Sequence, residues 1–381
     1  MNHISSGFIY CKEYKMKIAM IGQKKIPSRM GGVEVVVEHL SEGLVKAGHH
    51  VTAFNRADSD SKKVDSYKGI SIKTVPTLKT KGLAAVSSSF FATIMASLSN
   101  FDVVHIHAEG PAMMSWIPKL FGKKCIVTIH GLDYKRDKWG KFASRYIKLG
   151  EKAAVKYADQ IIVLNKPMQE YFWQQYKRKT VLIPNGIADV HRAKAKEIRS
   201  LGLSRDSYIL FLGRIVPEKG IENLINAFKK VKTEKKLVIA GASSDTDSFF
   251  QKMRRLASAD DRIEFIGFVE GNMLRELYSN AYAYVLPSKL EGMPVGLLEA
   301  ISYGNCCIVS NIPENLDIIG KAGISFEKGN VEDLEDKLNM VIKRPKLVEK
   351  LGSEALEKAK SKYDWQKIAE RTLNVYEGKN D

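Results

Sequence analysis

At 381 residues the chain is longer than one hydrophobic core ordinarily serves, so two domains of usual size are expected. Its 44% hydrophobic and 27% charged residues are the balance of a soluble globular protein, and a formal charge of +17 asks for an acidic partner: nucleic acid, anionic lipid or a phosphorylated small molecule. The four cysteines, Cys11, Cys125, Cys306 and Cys307, offer no disulfide framework and no CxxC metal site, and suit buried, reduced thiols of a cytosolic protein.

Residues 1–15 lack an apolar signal-peptide core and read as an extension ahead of Met16. From there, short β-branched runs alternate with helical patterns, which predicts a parallel α/β architecture. Strands are predicted at 17–22, 50–55, 102–107, 125–130, 160–164 and 181–184. A helix over 33–47 places Val33, Val37, Leu40 and Leu44 on one face. Residues 82–101 carry no charge, but five serines dilute the run, so it reads as a buried helix and not as a membrane span. The stretch from Lys119 to Lys156 is strongly basic, with Tyr134, Trp139, Phe142 and Tyr146 interleaved, a composition that suits docking on anionic lipid headgroups.

Residues 186–207 are charged, have no strong strand pattern and read as a linker. The alternation then restarts, with strands at 208–213, 236–241, 263–267, 282–287 and 306–310 and helices near 221–231, 248–256, 273–280 and 296–302. The last sixty residues read as helices at 331–342, 346–361 and 365–377. Two such units facing each other form a cleft, and ligands of open parallel sheets bind beyond the carboxyl ends of the strands.

Several motifs fall at those strand ends. Gly31-Gly32 opens the first helix, where backbone N–H groups and the helix dipole can meet a phosphate. His105, His107 and His130 close two strands, the last as His130-Gly131, where an imidazole can bond a sugar hydroxyl or a phosphate oxygen. Arg214 and Lys219 follow the strand that opens the second half and offer a fork and a point charge to phosphate oxygens. The strongest signal runs from Leu290 to Ala300. Glu291 lies in a loop, Glu299 in the following helix, and Gly292-Met293-Pro294-Val295-Gly296 between them leaves the backbone open to a ligand. Two Asp-x-Asp triplets, at Asp58 and Asp245, sit in Ser/Asp-rich stretches and read as solvated loops, not metal sites.

Gly31-Gly32, His130-Gly131, Pro184-Asn185-Gly186, Gly213-Arg214, Lys219-Gly220 and the E-x7-E spacing of Glu291 and Glu299 together resemble the retaining glycosyltransferases of family 4. The resemblance runs from about Met16 to the C-terminus, and the opening segment is similar to the rhamnosyltransferase-like branch that builds bacterial surface polysaccharides. It implies a GT-B fold of two Rossmann-like domains: an acceptor domain over 16–190, a nucleotide-sugar domain over 191–363, and a final helix within 364–381 crossing back to the first. It implies that Arg214 and Lys219 neutralise the donor diphosphate near Gly31 and Gly32, and that Glu299 holds the ribose. Glu291, Met293, Pro294, Val295 and Gly296 would hold the transferred sugar, with His130 beside it. The implied partners are a nucleotide-sugar donor, a glycan or lipid-linked acceptor and an anionic membrane surface on the cytoplasmic side. No metal, other cofactor or nucleic acid is expected. Where the family often has an aromatic residue after the first Glu, this chain has Gly292-Met293-Pro294, so the sugar stays open. A sugar-nucleotide epimerase of similar architecture, a basic nucleic-acid-binding protein and a non-catalytic sugar-nucleotide sensor are the alternatives.

Overall fold

The computed structural model describes residues 14–57, 64–80, 82–136, 139–187, 190–243 and 247–379. Eight strands form the first sheet: β1 (Lys17–Ile21), β2 (His50–Arg56), β3 (Ser66–Tyr67), β4 (Ile70–Val75), β5 (Val103–His107), β6 (Lys124–Ile129), β7 (Gln160–Val163) and β8 (Val181–Leu182). Their spatial order is β3-β4-β2-β1-β5-β6-β7-β8, with β3 antiparallel to β4 and the other pairs parallel. The second sheet has β9 (Tyr208–Leu212), β10 (Lys236–Ala240), β11 (Ile263–Gly267), β12 (Ala283–Leu286), β13 (Cys307–Ser310) and β14 (Ile324–Phe326). Its order is β11-β10-β9-β12-β13-β14, all parallel. Central strands such as β9 and β12, and β1 after its first residue Lys17, are apolar because helices cover both faces.

Strands β3, β4 and β14 lie outside the predicted set, β3 with only two residues. In β4 the buried Ile70, Ile72 and Val75 alternate with exposed Ser71, Lys73 and Thr74, the weak period-two signal of a strand beside a sheet edge. At three residues, β14 is too short to register as a periodic run.

On one face of the first sheet, Ala92, Ala96, Ala112, Ala154 and Phe172 from four helices pack on Ile21, Val104 and Val127. On the other, Val37, Leu40 and Leu44 of helix Gly32–Lys46 join Ile368, Val375 and Tyr376 of the final helix, Trp365–Glu377. That last helix leaves the second half and returns to the first, where Arg371 donates to the carbonyl of Leu182 (2.7 Å).

Two expectations need correction. Helix Leu83–Leu98 is not buried all round: it turns its serines and alanines inward and leaves Leu83, Phe90, Phe91, Met95 and Leu98 exposed. Small side chains let it lie close to the sheet, so its bulk faces out. Residues 190–207 are not a free linker either, because Ile198 and Leu203 are buried in the second core and Glu276 accepts from the backbone of Lys196 and Ile198.

Helix Lys141–Tyr157 crosses the short helix Glu109–Ala112 at Gly150, where a Cβ would fall 1.9 Å from the Glu109 carbonyl oxygen. Helix propensity alone favours alanine over glycine by about 1 kcal/mol. The steric argument predicts the reverse. Gly150→Ala should lower stability by roughly 2 kcal/mol, read as a fall in thermal midpoint; an unchanged or raised midpoint would refute the close crossing.

Candidate functional site

A cleft of about 360 Å³ opens between the carboxyl ends of the two sheets. The loop after β1 brings Arg29, Gly31 and Gly32 to it, and the loop after β6 brings His130, Asp133 and Arg136. From the second half come Arg214 and Lys219 after β9, Phe268 and Val269 after β11, and the segment Glu291 to Glu299 after β12. The residues that the family resemblance assigned to the site, including Met293, Pro294, Val295 and Gly296, therefore line one cavity.

One pole of the cleft is cationic. Helix Gly32–Lys46 starts without a side-chain cap, so its first-turn N–H groups face the cleft at the positive end of the dipole. Arg214 has no hydrogen bond or ion pair among the described residues, and burial, then the charge of Arg136, holds its pKa below the ordinary guanidinium value. Lys219 is ion-paired with Glu291. Gly220, at φ +69°, lets this loop turn onto Pro287, whose carbonyl oxygen lies 2.1 Å from where a Cβ would stand.

The opposite wall carries the carboxylates. Glu291 accepts from Ser288 Oγ (2.5 Å) as well as from Lys219. Pro294 caps helix Val295–Ser302 and Glu299 stands in its second turn. Arg29 reaches across from the first half to Glu299 Oε1 (3.2 Å), while Tyr278 donates to Oε2 (3.1 Å). Burial pushes the Glu299 carboxyl upward in pKa, and Arg29 and Tyr278 oppose that shift.

The two halves meet at Gly292. A Cβ there would lie 1.7 Å from the His130 carbonyl oxygen and 2.9 Å from Gly131 Cα. Asn165 Nδ2 donates to the Gly292 carbonyl (2.7 Å), and Asn185 donates from its backbone to Met293 Sδ (3.1 Å). Glycine is thus the residue that lets the loop after β12 seat against the histidine loop.

Behind His130 runs a buried chain. Its Nε2 meets His107 Nδ1 (3.1 Å), the ring of His107 lies on that of His105 with centroids 4.1 Å apart, and His105 bonds Thr128 Oγ1 (2.7 Å) and Tyr376 Oη (2.6 Å). Burial lowers the pKa to about 4 at His130, to about 3 at His105 and well below the ordinary range at His107. All three are neutral near pH 7. Of the histidines singled out in the sequence, His130 alone lines the cleft; His105 and His107 support it.

The Asp133 loop is held from below. Buried Glu109 accepts from the Asp133 N–H (2.7 Å), and burial, together with the charges of Asp133 and Glu151, raises its carboxyl pKa. Arg136 pairs with Asp133 (2.7 Å) and faces Glu218 of the second half at 3.9 Å. The interleaved aromatics do not form one surface: Trp139 lines the cleft, Tyr134 faces the ammonium of Lys148 (4.3 Å to the ring centroid), Tyr146 is half-buried, and Phe142 points out. Residues 58–60, 245 and 246 of the Asp-x-Asp triplets lie outside the described residues, and no group of three potential metal ligands occurs among the described ones.

Two family models match consecutive parts of the chain: "Glycosyltransferase Family 4" over residues 30–190 and "Glycosyl transferases group 1" over 193–358. The chain belongs to glycosyltransferase family 4. An uncharacterized glycosyltransferase of Methanocaldococcus jannaschii is 27% identical, over 95% of this chain and 98% of its own length. Sucrose-phosphate synthase from Thermosynechococcus elongatus superposes with a TM-score of 0.81 at 21% identity, covering 96% of this chain and 99% of that one. Anabaena HepE, solved in complex with UDP-glucose, also gives 0.81 at 16% identity, covering 95% and 100%. These structural likenesses establish the GT-B fold.

In this glycosyltransferase the sequence reading missed Arg29, Glu109, Arg136 and Asn165 as site residues. Asn165 carried one signal, since Asn165-Lys166-Pro167 after an apolar run is a helix start, and its Oδ1 caps Met168 N (2.9 Å). Arg29 and Glu109 are charged residues whose partners lie 270 and 24 positions away, and Arg136, though paired locally with Asp133, meets the second half only at Glu218.

Two outcomes follow from this geometry. Each buried histidine takes a proton in the unfolded chain below about pH 6.5 but refuses it in the folded state until well below that, so stability falls as pH drops through the window. His107→Gln removes one such group. Between about pH 7 and pH 5 the glycosyltransferase with that substitution should lose up to about 2 kcal/mol less stability than the native chain in urea melts; identical losses would show that His107 is not held neutral. Gly292→Ala, in turn, should leave the thermal midpoint within a few degrees while lowering transferase kcat at least about tenfold, because it blocks the seating of the two halves; full activity would sink the contact at His130.

Proposed function

We propose that this enzyme moves a hexosyl or deoxyhexosyl group, with rhamnosyl among the candidates, from a nucleoside diphosphate sugar to a glycan or lipid-linked acceptor, retaining the anomeric configuration. The reading places it in bacterial surface-polysaccharide synthesis at the cytoplasmic face of the membrane. The observation that carries it is Arg214, without a hydrogen bond or ion pair among the described residues, beside Lys219 and an uncapped helix start, opposite two carboxylates in one cleft. A donor is anionic at its diphosphate and rich in hydroxyls at both sugars, and the cleft is complementary to both.

In this reading Arg214, Lys219 and the N–H groups after Gly31 and Gly32 neutralise the diphosphate, which makes a divalent metal unnecessary. Glu299 takes the ribose hydroxyls, Glu291 and the backbone from Met293 to Gly296 take the transferred sugar, and His130 lies beside it. The Lys219–Glu291 and Arg29–Glu299 pairs keep these charges satisfied until donor groups replace them. The bond from the anomeric carbon to the diphosphate oxygen breaks, the acceptor oxygen bonds that carbon on the same face, and the acceptor proton passes to the departing diphosphate. Neutral His130 fits a hydrogen-bonding role better than that of a general acid. HepE's complex with UDP-glucose supports a nucleotide-sugar donor. Lys141, Arg145, Lys152 and Lys156, exposed on one helix, suit an anionic membrane surface.

A thermal-shift panel of UDP-, GDP-, ADP- and dTDP-sugars should single out one donor that raises the midpoint, with the rise lost in Arg214→Ala. With that donor, Glu291→Gln should cut transfer by about 100-fold or more. Undiminished transfer would refute the site, and conversion of the sugar without acceptor would make the protein an epimerase.

A further inference from the structure

Helix Leu83–Leu98 is amphipathic in the reverse sense. Its inward face is made of Ser88, Ser89, Ala92, Thr93, Ala96 and Ser97, and three of its hydroxyls are satisfied within the helix: Ser88 Oγ (3.2 Å) and Ser89 Oγ (2.7 Å) donate to the Ala85 carbonyl and Thr93 Oγ1 to that of Ser89 (2.6 Å). Its outward face presents Phe90, Phe91, Met95 and Leu98, the last 67% exposed. No charged residue interrupts the helix. A surface helix normally does the opposite, since each exposed large apolar side chain forgoes the gain of leaving water.

The neighbours extend the surface. The short helix Trp116–Leu120 packs beside this one and exposes Trp116, Leu120 at 71% and the following Phe121. Helix Lys141–Tyr157 packs beside that in turn, and its outer face carries Lys141, Arg145, Lys152 and Lys156 with Leu149 and Phe142, the latter 87% exposed. Alanines of all but the short helix share one core on the same side of the sheet, so ridge and basic stripe belong to one side of the molecule.

We infer that this face is a lipid-docking surface in which Phe91, Met95 and Leu98, with Leu120 and Phe142, enter one leaflet while the four basic residues sit among anionic headgroups. The inference rests on the membrane-surface reading above and adds the inserting residues to it. The charge pattern selects the occupant. A second copy would bring the same formal charge of +17 to the basic stripe, whereas phosphate-bearing lipid complements it. An apolar ridge beside a cationic stripe is what an element lying in the membrane interface needs, and among the described residues no helix is long and apolar enough to cross a membrane. The placement also serves the chemistry: Trp139 lines the cleft and Phe142 lies three residues further on, so a lipid-linked acceptor would reach the cleft from the docked face.

Flotation with vesicles of phosphatidylcholine, with and without about 30% phosphatidylglycerol, tests this. The native chain should bind the anionic vesicles and keep part of that binding in high salt. Phe91→Ser with Met95→Ser and Leu98→Ser should bind at least about tenfold more weakly and lose the salt-resistant part, with its thermal unfolding by circular dichroism unchanged within a few degrees. Replacing Lys141, Arg145, Lys152 and Lys156 by Gln should instead remove the preference for phosphatidylglycerol. If the triple-serine variant binds like the native chain, the ridge does not insert, although the membrane reading survives. If the native chain binds neither vesicle, both fail. A lipid-free dimer in light scattering that the serine substitutions dissolve would assign the ridge to a second copy and overturn the inference.

Discussion

The contact between the Gly292 backbone and the His130 carbonyl is the constraint around which this molecule is arranged. Two sheets, each with its own core, present their strand ends to one another, and a cleft between such units is useful only if their loops hold a fixed distance. Here the distance is set by the absence of one side chain, since the place of a Cβ on Gly292 is already occupied by carbonyl oxygen. Asn165 and Asn185 then tie the same loop to the first half through hydrogen bonds with its backbone and its methionine sulfur. Backbone contacts of this kind hold loops more firmly than long side chains can, because little rotamer freedom is lost in making them.

Around that seat the charges are balanced in advance. Lys219 is matched by Glu291 and Arg29 by Glu299, while Arg214 makes no hydrogen bond or ion pair among the described residues. A ligand carrying both negative oxygens and hydroxyls can exchange with these pairs at little cost in desolvation, because cations and carboxylates alike gain new partners. The neutral histidines beneath the cleft fit the same economy. Protonating an imidazole there would bury a charge, and at His130 that outweighs the attraction of Asp133, so burial keeps His105, His107 and His130 as hydrogen-bonding groups.

The basic excess of the chain divides once the fold is known. Lys124 donates to the carbonyl of Tyr376, Arg136 belongs to the cleft, and Lys148 is held by Glu151 and three tyrosine rings. Lys141, Arg145, Lys152 and Lys156 stay on the surface next to an apolar ridge. Interleaved aromatics in the sequence suggested one uniform docking face. They part instead, because Tyr134 and Trp139 lie ahead of helix Lys141–Tyr157, in a short turn and a loop, and only Phe142 and Tyr146 belong to it.

By itself the sequence determined the alternation of strands and helices, the two-sheet architecture and the loops that meet at the cleft, because period and strand-end position are local properties. Gly31, Gly32, His130, Arg214, Lys219 and the segment from Glu291 to Glu299 were legible for the same reason: each follows a readable strand. Only the tertiary structure decided that Arg29 reaches Glu299 across 270 positions, that Glu109 carries the Asp133 loop, and that His107 supports His130 and does not face ligand. It also turned helix Leu83–Leu98 the unexpected way round. Hydrophobicity says how much surface a helix would prefer to hide. Which face is hidden depends on how close its neighbours allow it to come, and that distance is set by side chains far away in the chain.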